Sequence, residues 1–397
     1  MAVQREATTG QMPTKPAPWN DPRIRSLFIQ AVTIVVIVGF IAYIAHNTAS
    51  NLARQGIAGG FDFLNYTAGF GISFSLIPYS EVSTYGNALL TGLLNTFLVA
   101  ICGIVLATIV GFVVGLARLS SNFLVAKLAY AYVEMLRNIP LLLQLIFWYV
   151  VVLSALPTPR ESLSFLDAFF LNNRGLTVPR PILEDGIGFL VVGVVIAIAA
   201  VVFMTRWAKR RRDATGQPFP TVLASLAVLV LVPIAAFLVS GAPLEFEIPT
   251  ASRFRLDGGL NLVPEFVALL FGLSLYTGAF IAEIVRAGIL SVGKGQVEAA
   301  SALGLKPGQT SRLVVIPQAL RVIVPPLTSQ YLNLTKNSSL AVAIGYPDLV
   351  SVGGTVLNQT GQAIEVVTIW MIVYVSLSLL TSLFMNWYNR KIALVER

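Results

Sequence analysis

The sequence predicts an all-α polytopic membrane protein, and three observations lead to that fold class. First, 56% of the 397 residues are hydrophobic and only 12% are charged, whereas soluble proteins average about 25% charged residues. Second, the apolar residues gather in runs of about 20, the length that crosses a bilayer as a helix. Third, the net charge of +8 lies in small basic clusters between those runs. Such clusters are typical of cytoplasmic loops and not of a nucleic-acid-binding surface.

Eight apolar runs are candidate transmembrane helices. The second run contains no charged residue, and the sixth tolerates Glu283 and Arg286 near its end. The seventh contains Pro325, Pro326 and Lys336, so we expect a broken helix there and not a plain one. The runs cover residues 27–45, 89–117, 138–156, 187–205, 221–240, 263–290, 319–344 and 366–385.

The distribution of basic residues predicts the orientation of these runs. If the N-terminus is cytoplasmic and the runs alternate, the inside segments contain 20 of the 27 Lys and Arg residues. Cytoplasmic loops carry such an excess of positive charge. The sequence therefore predicts an even number of spans with both termini in the cytoplasm.

The chain lacks the residues of most catalytic and metal sites. Its one cysteine, Cys102, and its one histidine, His46, exclude an internal disulfide and a Cys/His metal site. Residues 288–294 match the spacing of a phosphate-binding loop, but Gly295 replaces the Ser or Thr that would hold magnesium. We therefore expect a chain that is not an enzyme and binds no cofactor or metal of its own.

A polar stretch between the sixth and seventh runs, residues 295–317, has the pattern of two short helices, and we call it the elbow. Residues 296–303 are rich in Ala, Glu and Leu, which favour a helix. Gly304 suits the end of that helix, and Pro307 suits the first turn of the next. The predicted orientation places the elbow in the cytoplasm.

Two pairs of ionisable residues lie in or beside the runs, where charge is costly and function is a natural explanation. Glu283 and Arg286 are three residues apart on one helix face, so they can form an ion pair. Glu134 and Arg137 have the same spacing at the start of the third run. For both pairs two interpretations stay open, an ion pair that fixes helix packing and a gating element.

Four polar residues follow the prolines of the seventh run. Lys336, Asn337, Ser338 and Ser339 offer donors for a carboxylate and acceptors for an ammonium group. One interpretation places them on a substrate path, because broken helices expose backbone groups that must line a cavity or be covered by protein. The other is that Lys336 extends to the membrane interface.

The elbow resembles the EAA signature of permease subunits of bacterial ABC importers. That signature is Glu-Ala-Ala, three residues, Gly, nine residues and then Ile-x-Leu-Pro. In this chain Gly304 follows Glu298-Ala299-Ala300 after three residues, and nine more residues lead to Val314-Val315-Ile316-Pro317. In that family the loop is a coupling helix that inserts into a groove of the ATPase subunit. The resemblance implies this part for Glu298, Ala299, Ala300, Gly304 and Leu305.

The flanking residues narrow the resemblance to polar-amino-acid permeases. Residues 134–144 are similar to their E-x-x-R-x-x-P-x-L-x-Q pattern, and residues 282–289, 317–321 and 336–340 also match. The eight-span layout looks like the permeases of general L-amino-acid importers and of their glutamate/glutamine/aspartate/asparagine relatives. Smaller permeases carry Asp-Thr-Ser where this chain has Asn337-Ser338-Ser339. We hypothesise that the missing aspartate admits acidic side chains.

The resemblance implies a type I importer permease with the MetI-like fold, a division of the chain and a set of partners. We expect a disordered cytoplasmic segment (1–26), an extra helix with an aromatic periplasmic loop (27–85), the permease domain (86–388) and a cytoplasmic tail (389–397). Within the permease domain, the core is 86–156 with 263–388, and 157–262 is a two-helix insertion. The expected partners are an ATPase dimer that binds ATP and Mg²⁺, a second and different permease chain, and a periplasmic amino-acid-binding protein, all at the bacterial inner membrane.

Two other functions remain open at this point. A secondary transporter or channel for small polar solutes would not need the elbow, and proton- or sodium-driven uptake without any ATPase would support it. A membrane scaffold without transport activity would show no substrate-dependent ATP hydrolysis with its partners.

Overall fold

The computed structural model describes residues 22–54, 59–183, 187–217, 219–241, 244–251 and 256–392. Most of the predicted N-terminal segment, residues 1–21, and the last five residues of the predicted tail lie outside the described residues. Helix α1 already begins at Pro22, so its first turn precedes the apolar run.

Helices dominate the described residues, as the sequence predicts, and short strands join some of them. The helices are α1 (Pro22–Arg54), α2 (Tyr85–Ala117), α3 (Phe123–Asn138), α4 (Leu141–Ile146), α5 (Ile187–Thr215), α6 (Thr221–Val239), α7 (Pro264–Leu290), α8 (Lys294–Ala302), α9 (Pro307–Thr310), α10 (Ile316–Asn337), α11 (Leu349–Thr360) and α12 (Ala363–Ile392). The strands are β1 (Leu163–Phe165), β2 (Phe169–Asn172), β3 (Gly175–Val178), β4 (Arg180–Leu183), β5 (Leu244–Glu247), β6 (Thr250–Ala251), β7 (Leu256–Asp257) and β8 (Leu260–Leu262).

The apolar helices of the described chain correspond in position to the eight predicted runs. Helices α1, α2, α5, α7 and α12 are each long and apolar enough to cross a membrane, and two bent pairs bring the number to seven. One pair is α3 with residues 141–153, bent by 108°, and the other is residues 307–344 with α11, bent by 54°. Helix α6 is also apolar but shorter. The predicted fold class is therefore confirmed.

Helices α2 and α7 make the most extensive helix contact in the described chain. Small residues permit this approach, because a Cβ atom added at Gly115 of α2 would lie 2.8 Å from the Ala282 carbonyl oxygen of α7. A Cβ atom at Gly111 would collide with the Ile281 side chain. In lipid, helices associate through such close packing, since the acyl chains are as apolar as the side chains. This pair forms the centre on which α10 and α3 also pack.

The seventh run departs from its predicted structure. We expected Pro325 and Pro326 to break the helix, yet α10 continues through both. The break lies further on, where residues 338–344 tighten into a 3₁₀ helix and Gly345 takes a left-handed φ of 78°. Membrane helices tolerate proline where neighbouring protein covers the freed carbonyl groups. The chain therefore bends after the 3₁₀ segment, at Gly345, and not at the proline pair.

The third run also begins differently. We expected it to start at Asn138, and this residue instead ends the amphipathic helix α3. Asn122 caps α3 by accepting hydrogen bonds from the backbone N–H groups of Leu124 and Val125. Pro140 then precedes α4, which continues as a π-helical segment to Leu153. The chain bends by 108° between α3 and α4.

The segments on either side of α5 and α6 contain strands that the sequence did not predict. Strands β1, β2, β3 and β8 form an antiparallel sheet in that order, and β4 pairs with β5. The β4–β5 pair thus ties the two ends of the α5–α6 insertion together. The strands have only two to four residues each, too few for an alternating pattern to be recognised.

The aromatic segment before α2 packs on the bundle as well as facing outward. Phe61 and Tyr66 are exposed, while Phe63 and Phe74 are buried. The Phe74 ring stacks on Phe266 at a centroid distance of 5.9 Å. The segment therefore covers the end of the bundle opposite the elbow, beside the start of α7.

Candidate functional site

The elbow has the two-helix form that the sequence predicts. Helix α8 ends at Ala302, and Gly304 takes a left-handed φ of 76°. The Gly304 N–H donates to the Ser301 carbonyl at 2.9 Å, and the Leu305 N–H donates to the Ala300 carbonyl at 3.1 Å. Glycine adopts this conformation without the steric cost that a side chain would bring. The turn redirects the chain into α9 within three residues.

The start of α9 is fixed by a local hydrogen bond. The Lys306 N–H donates to Gln309 Oε1 at 3.0 Å, and Pro307 occupies the first turn, where no N–H donor is needed. The chain then passes through a π-helical segment, Ser311–Val315, into α10. The elbow thus joins α7 directly to α10, two of the central helices.

Most of the elbow is open to solvent or to a partner. Between residues 293 and 310 the structure buries Ala300 and Thr310, half-buries Leu305 and exposes the other residues. Of the predicted coupling residues, Glu298, Ala299 and Gly304 are exposed, and Leu303 beside them is 82% exposed. Ala300 is 4% exposed. Ala300 therefore packs the elbow on its own chain, while its neighbours form the outward surface.

The base of the elbow is held by close packing between α7 and α10. Gly288 of α7 faces Ile323 of α10 so closely that an added Cβ atom would collide with the Ile323 side chain. The same Cβ atom would lie 3.3 Å from the Ala319 carbonyl oxygen. A displacement of the elbow must therefore move α7 and α10 together or open this contact.

The predicted pair of Glu283 and Arg286 forms part of a larger charge network. Arg286 Nη2 lies 2.7 Å from Glu283 Oε1. Arg118, at the end of α2, also donates to Glu283. The side chain of Arg118 is only 8% exposed, against 26% for Glu283 and 33% for Arg286. Glu283 is thus the counter-charge that allows Arg118 to be buried beside α7.

The second predicted pair is arranged differently. Within the residues that the structure describes, Glu134 and Arg137 form no ion pair with each other. The Arg137 guanidinium instead lies 5.2 Å from the centre of the Phe280 ring of α7, within the range of a cation–π contact. The i,i+3 spacing permits an ion pair, but the guanidinium of Arg137 contacts the Phe280 ring on the neighbouring helix instead.

The four residues of the predicted substrate path do not share one environment. Lys336 is exposed, Asn337 and Ser339 are half-buried, and Ser338 is fully buried. The hydroxyls of Ser338 and Ser339 donate to the carbonyls of Thr335 and Lys336, one turn back, at 2.8 Å each. Lys336 therefore faces outward, whereas Ser338 lies in the protein interior.

A buried polar group of residues lies beside Ser338, and Asp348 in this group is a residue that sequence reasoning missed. Asn95 of α2 donates to the carbonyls of Phe74 and Pro347 at 2.9 Å each. Thr96 accepts a hydrogen bond from the Leu349 N–H at 3.0 Å, and the fully buried Asp348 caps α11 through the Ser351 N–H. These bonds fix the bend between residues 344 and 349 onto α2. The signal for this group in the sequence is the polar pair Asn95-Thr96 inside the uncharged run of residues 89–117.

Comparison with known proteins identifies the family of this chain. Residues 190–394 match the family model of the binding-protein-dependent transport system inner membrane component. The general L-amino acid transport system permease protein AapQ of Rhizobium johnstonii is 60% identical over 95% of this chain and 94% of its own. The putative amino-acid ABC transporter permease protein YhdX of Escherichia coli is 51% identical over 95% and 96%.

A third relative extends the same pattern. The glutamate/glutamine/aspartate/asparagine transport system permease protein BztB of Rhodobacter capsulatus is 42% identical over 95% of this chain and 96% of its own.

The membrane-spanning helices and the exposed elbow between two central helices define the class, a multi-pass transport subunit of the inner membrane. The chain belongs to the family of binding-protein-dependent transport system inner membrane components, as one of its amino-acid ABC transporter permeases. The resemblance that the elbow and its flanking residues indicate is confirmed.

The charge network predicts an order of stabilities among single variants. Glu283→Gln leaves Arg118 buried without a counter-charge, so we expect thermal unfolding of the purified chain in detergent at a clearly lower temperature. The expected loss is about 2 kcal/mol, below the value for a fully buried pair because Glu283 is partly exposed.

Arg286→Gln is the matched control, because it removes the more exposed partner and leaves the contact of Arg118 with Glu283 in place. It should cost less than half as much. The double variant Arg118→Met/Glu283→Gln should recover part of the loss, since the buried charge is then gone and only the more exposed Arg286 has lost its partner. A Glu283→Gln chain that melts like the wild type would contradict the buried role of this network.

Proposed function

We propose that this chain is one of two permease subunits of an ATP-driven importer that moves L-amino acids from the periplasm to the cytoplasm. The names of its relatives support this substrate class, since one acts on general L-amino acids and another on glutamate, glutamine, aspartate and asparagine. The chain itself makes no covalent chemistry in this proposal. A periplasmic binding protein delivers the amino acid to the outer face.

The exposed elbow is the observation that carries the proposal. Its small residues Ala299 and Gly304 permit close approach of another protein, and Leu303 offers an apolar side chain that is 82% exposed. ATP and Mg²⁺ belong to the ATPase dimer, which docks on this surface. Binding of ATP there moves the elbow, and the elbow moves α7 and α10.

The orientation follows from the distribution of positive charge. If the N-terminus is cytoplasmic and the apolar runs alternate, 20 of the 27 Lys and Arg residues lie in segments on the same side of the membrane as the elbow. This supports cytoplasmic N- and C-termini and a cytoplasmic elbow. The second permease is a different, homologous chain, as the resemblance to the general L-amino-acid importers implies.

Gly304→Glu tests the proposed docking surface. An added Cβ atom meets no atom within 4 Å, so the chain should still insert and fold, with only the local strain of a side chain at a left-handed φ of 76°. The new side chain strains the left-handed turn and projects from the elbow, so we expect amino-acid uptake into cells or proteoliposomes to fall by at least ten-fold, on the order of the loss of one good interface contact.

Gly304→Asn is the control, because asparagine tolerates the left-handed conformation better than other residues with a side chain. It should keep substantially more uptake than Gly304→Glu. If Gly304→Glu transports like the wild type while present in the membrane in equal amount, the elbow is only a connecting loop. Uptake that is driven by an ion gradient without any ATPase would favour a secondary transporter instead.

Asn337 is the residue that we propose to influence the choice of substrate. Asn337→Asp adds one negative charge without changing the shape of the side chain. If the residue lies on the substrate path, glutamate uptake should fall relative to arginine uptake by about five-fold or more, as repulsion of about 1 kcal/mol implies.

Asn333→Asp provides the matched control for this variant. Residue 333 is exposed and lies one turn earlier on α10, so it adds the same charge to the same helix. The ratio of glutamate to arginine uptake should be nearly unchanged in this control. A ratio that is also unchanged in Asn337→Asp would remove Asn337 from the substrate path.

A further inference from the structure

A cluster of positive charge marks the end of α5. Five of the seven residues from Arg206 to Arg212 are basic. Helix α5 has 29 residues and is therefore about 43 Å long, against roughly 30 Å for the hydrocarbon of a bilayer. The apolar part, residues 187–205, is long enough to cross that layer alone. The basic residues consequently lie at the depth of the lipid headgroups.

The cluster carries a net positive charge, although the acidic Asp213 follows it directly. In the part of the chain that the structure describes, no cation between residues 206 and 212 forms an ion pair. Arg211 is held otherwise, since its guanidinium lies 5.4 Å from the centre of the Trp207 ring and donates to Gln217 Oε1 at 3.4 Å. Trp207 in turn packs edge-on against Phe219 at 5.4 Å. These contacts order the turn between α5 and α6, and the exposed cations beside it can bind an anion.

Two adjoining cavities open at this turn. The first has a volume of about 250 Å³ and the second of about 510 Å³. The first is lined by Thr205, Ala208, Lys209, Arg212, Phe219 and Thr221. The second is lined by Phe219, Pro220, Thr221, Leu223, Leu226 and Arg312. They share Phe219 and Thr221, so one elongated molecule can occupy both.

The geometry points to an anionic glycerophospholipid as the occupant. Its phosphate lies between Lys209 and Arg212 in the first cavity, and an acyl chain follows the exposed side chains of Leu223 and Leu226 in the second. The cations stabilise the negative phosphate, and the apolar wall stabilises the acyl chain. A free phosphate ion would fill only the first cavity and would leave Leu223 and Leu226 of the second cavity without a contact to the ligand.

The bound lipid also touches the elbow. Arg312 belongs to the π-helical segment that joins α9 to α10, and it lines the second cavity together with residues of α6. The lipid therefore fills the space between the α5–α6 insertion and the base of the elbow. This assigns the insertion a binding role that does not depend on which solute the permease moves.

Retained lipid tests this inference on the full chain. The purified protein is exchanged into nanodiscs that contain phosphatidylglycerol and phosphatidylcholine, and the lipid that remains bound after re-extraction is counted by native mass spectrometry. Lys209→Gln/Arg212→Gln should retain phosphatidylglycerol at least ten-fold more weakly, since each direct charge-assisted hydrogen bond to the phosphate contributes about five-fold or more. Phosphatidylcholine should not be retained by any variant.

Arg206→Gln/Arg210→Gln removes the same charge from the same helix but not from the cavity lining, so it is the matched control. It should stay within about two-fold of the wild type. Circular dichroism and size-exclusion profiles establish that all variants are folded. Equal loss in both double variants would overturn the inference in favour of general surface attraction. Displacement of the lipid by millimolar inorganic phosphate would overturn it in favour of a free-anion site.

Discussion

The close contact between α2 and α7 is the constraint on which the rest of the structure depends. Lipid offers these helices no hydrophobic reason to associate, so shape must hold them together. Gly111 and Gly115 bring the α2 backbone against Ile281 and Ala282 of α7, leaving no room for larger side chains. Helices α10 and α11 then pack on this pair. Asn95 of α2 donates a buried hydrogen bond to the Pro347 carbonyl and Thr96 accepts one from the Leu349 N–H, and these bonds fix the bend before α11.

The same contact explains how a charge network can lie beside a membrane span. Arg118 ends α2 and Glu283 lies near the end of α7, so the helix contact brings the two charges together. Glu283 stands only two turns before the end of α7 and the start of the elbow. In the proposed function, a partner that pushes on the elbow therefore acts on helices whose relative position is fixed by packing and by paired charge. The proposal relies on this closely packed base to pass the movement from the elbow to the helices.

The sequence predicted the features that depend on composition or on fixed spacing. The apolar runs, the helix–turn–helix elbow and the pair of Glu283 and Arg286 are local patterns, and each is present. Long-range partners were not predictable, because nothing near Glu283 in the sequence points to Arg118, 165 residues away. Pro325 and Pro326 do not mark the break, because membrane helices tolerate prolines that helix propensity alone would exclude. The strands beside α5 and α6 are too short to show an alternating pattern in the sequence. Arg137 contacts the Phe280 ring on another helix and does not pair with its neighbour Glu134.

Photo-crosslinking from the elbow tests the central claim of this account most directly. A photoreactive amino acid at residue 299, on the exposed face of α8, is compared with one at Leu166, which is 76% exposed in the β1–β2 turn near the opposite end of α7. In native membranes, the account predicts that residue 299 forms an adduct with an ATP-binding subunit and that residue 166 does not. An elbow that yields no such adduct, or an equal adduct from both positions, would contradict it.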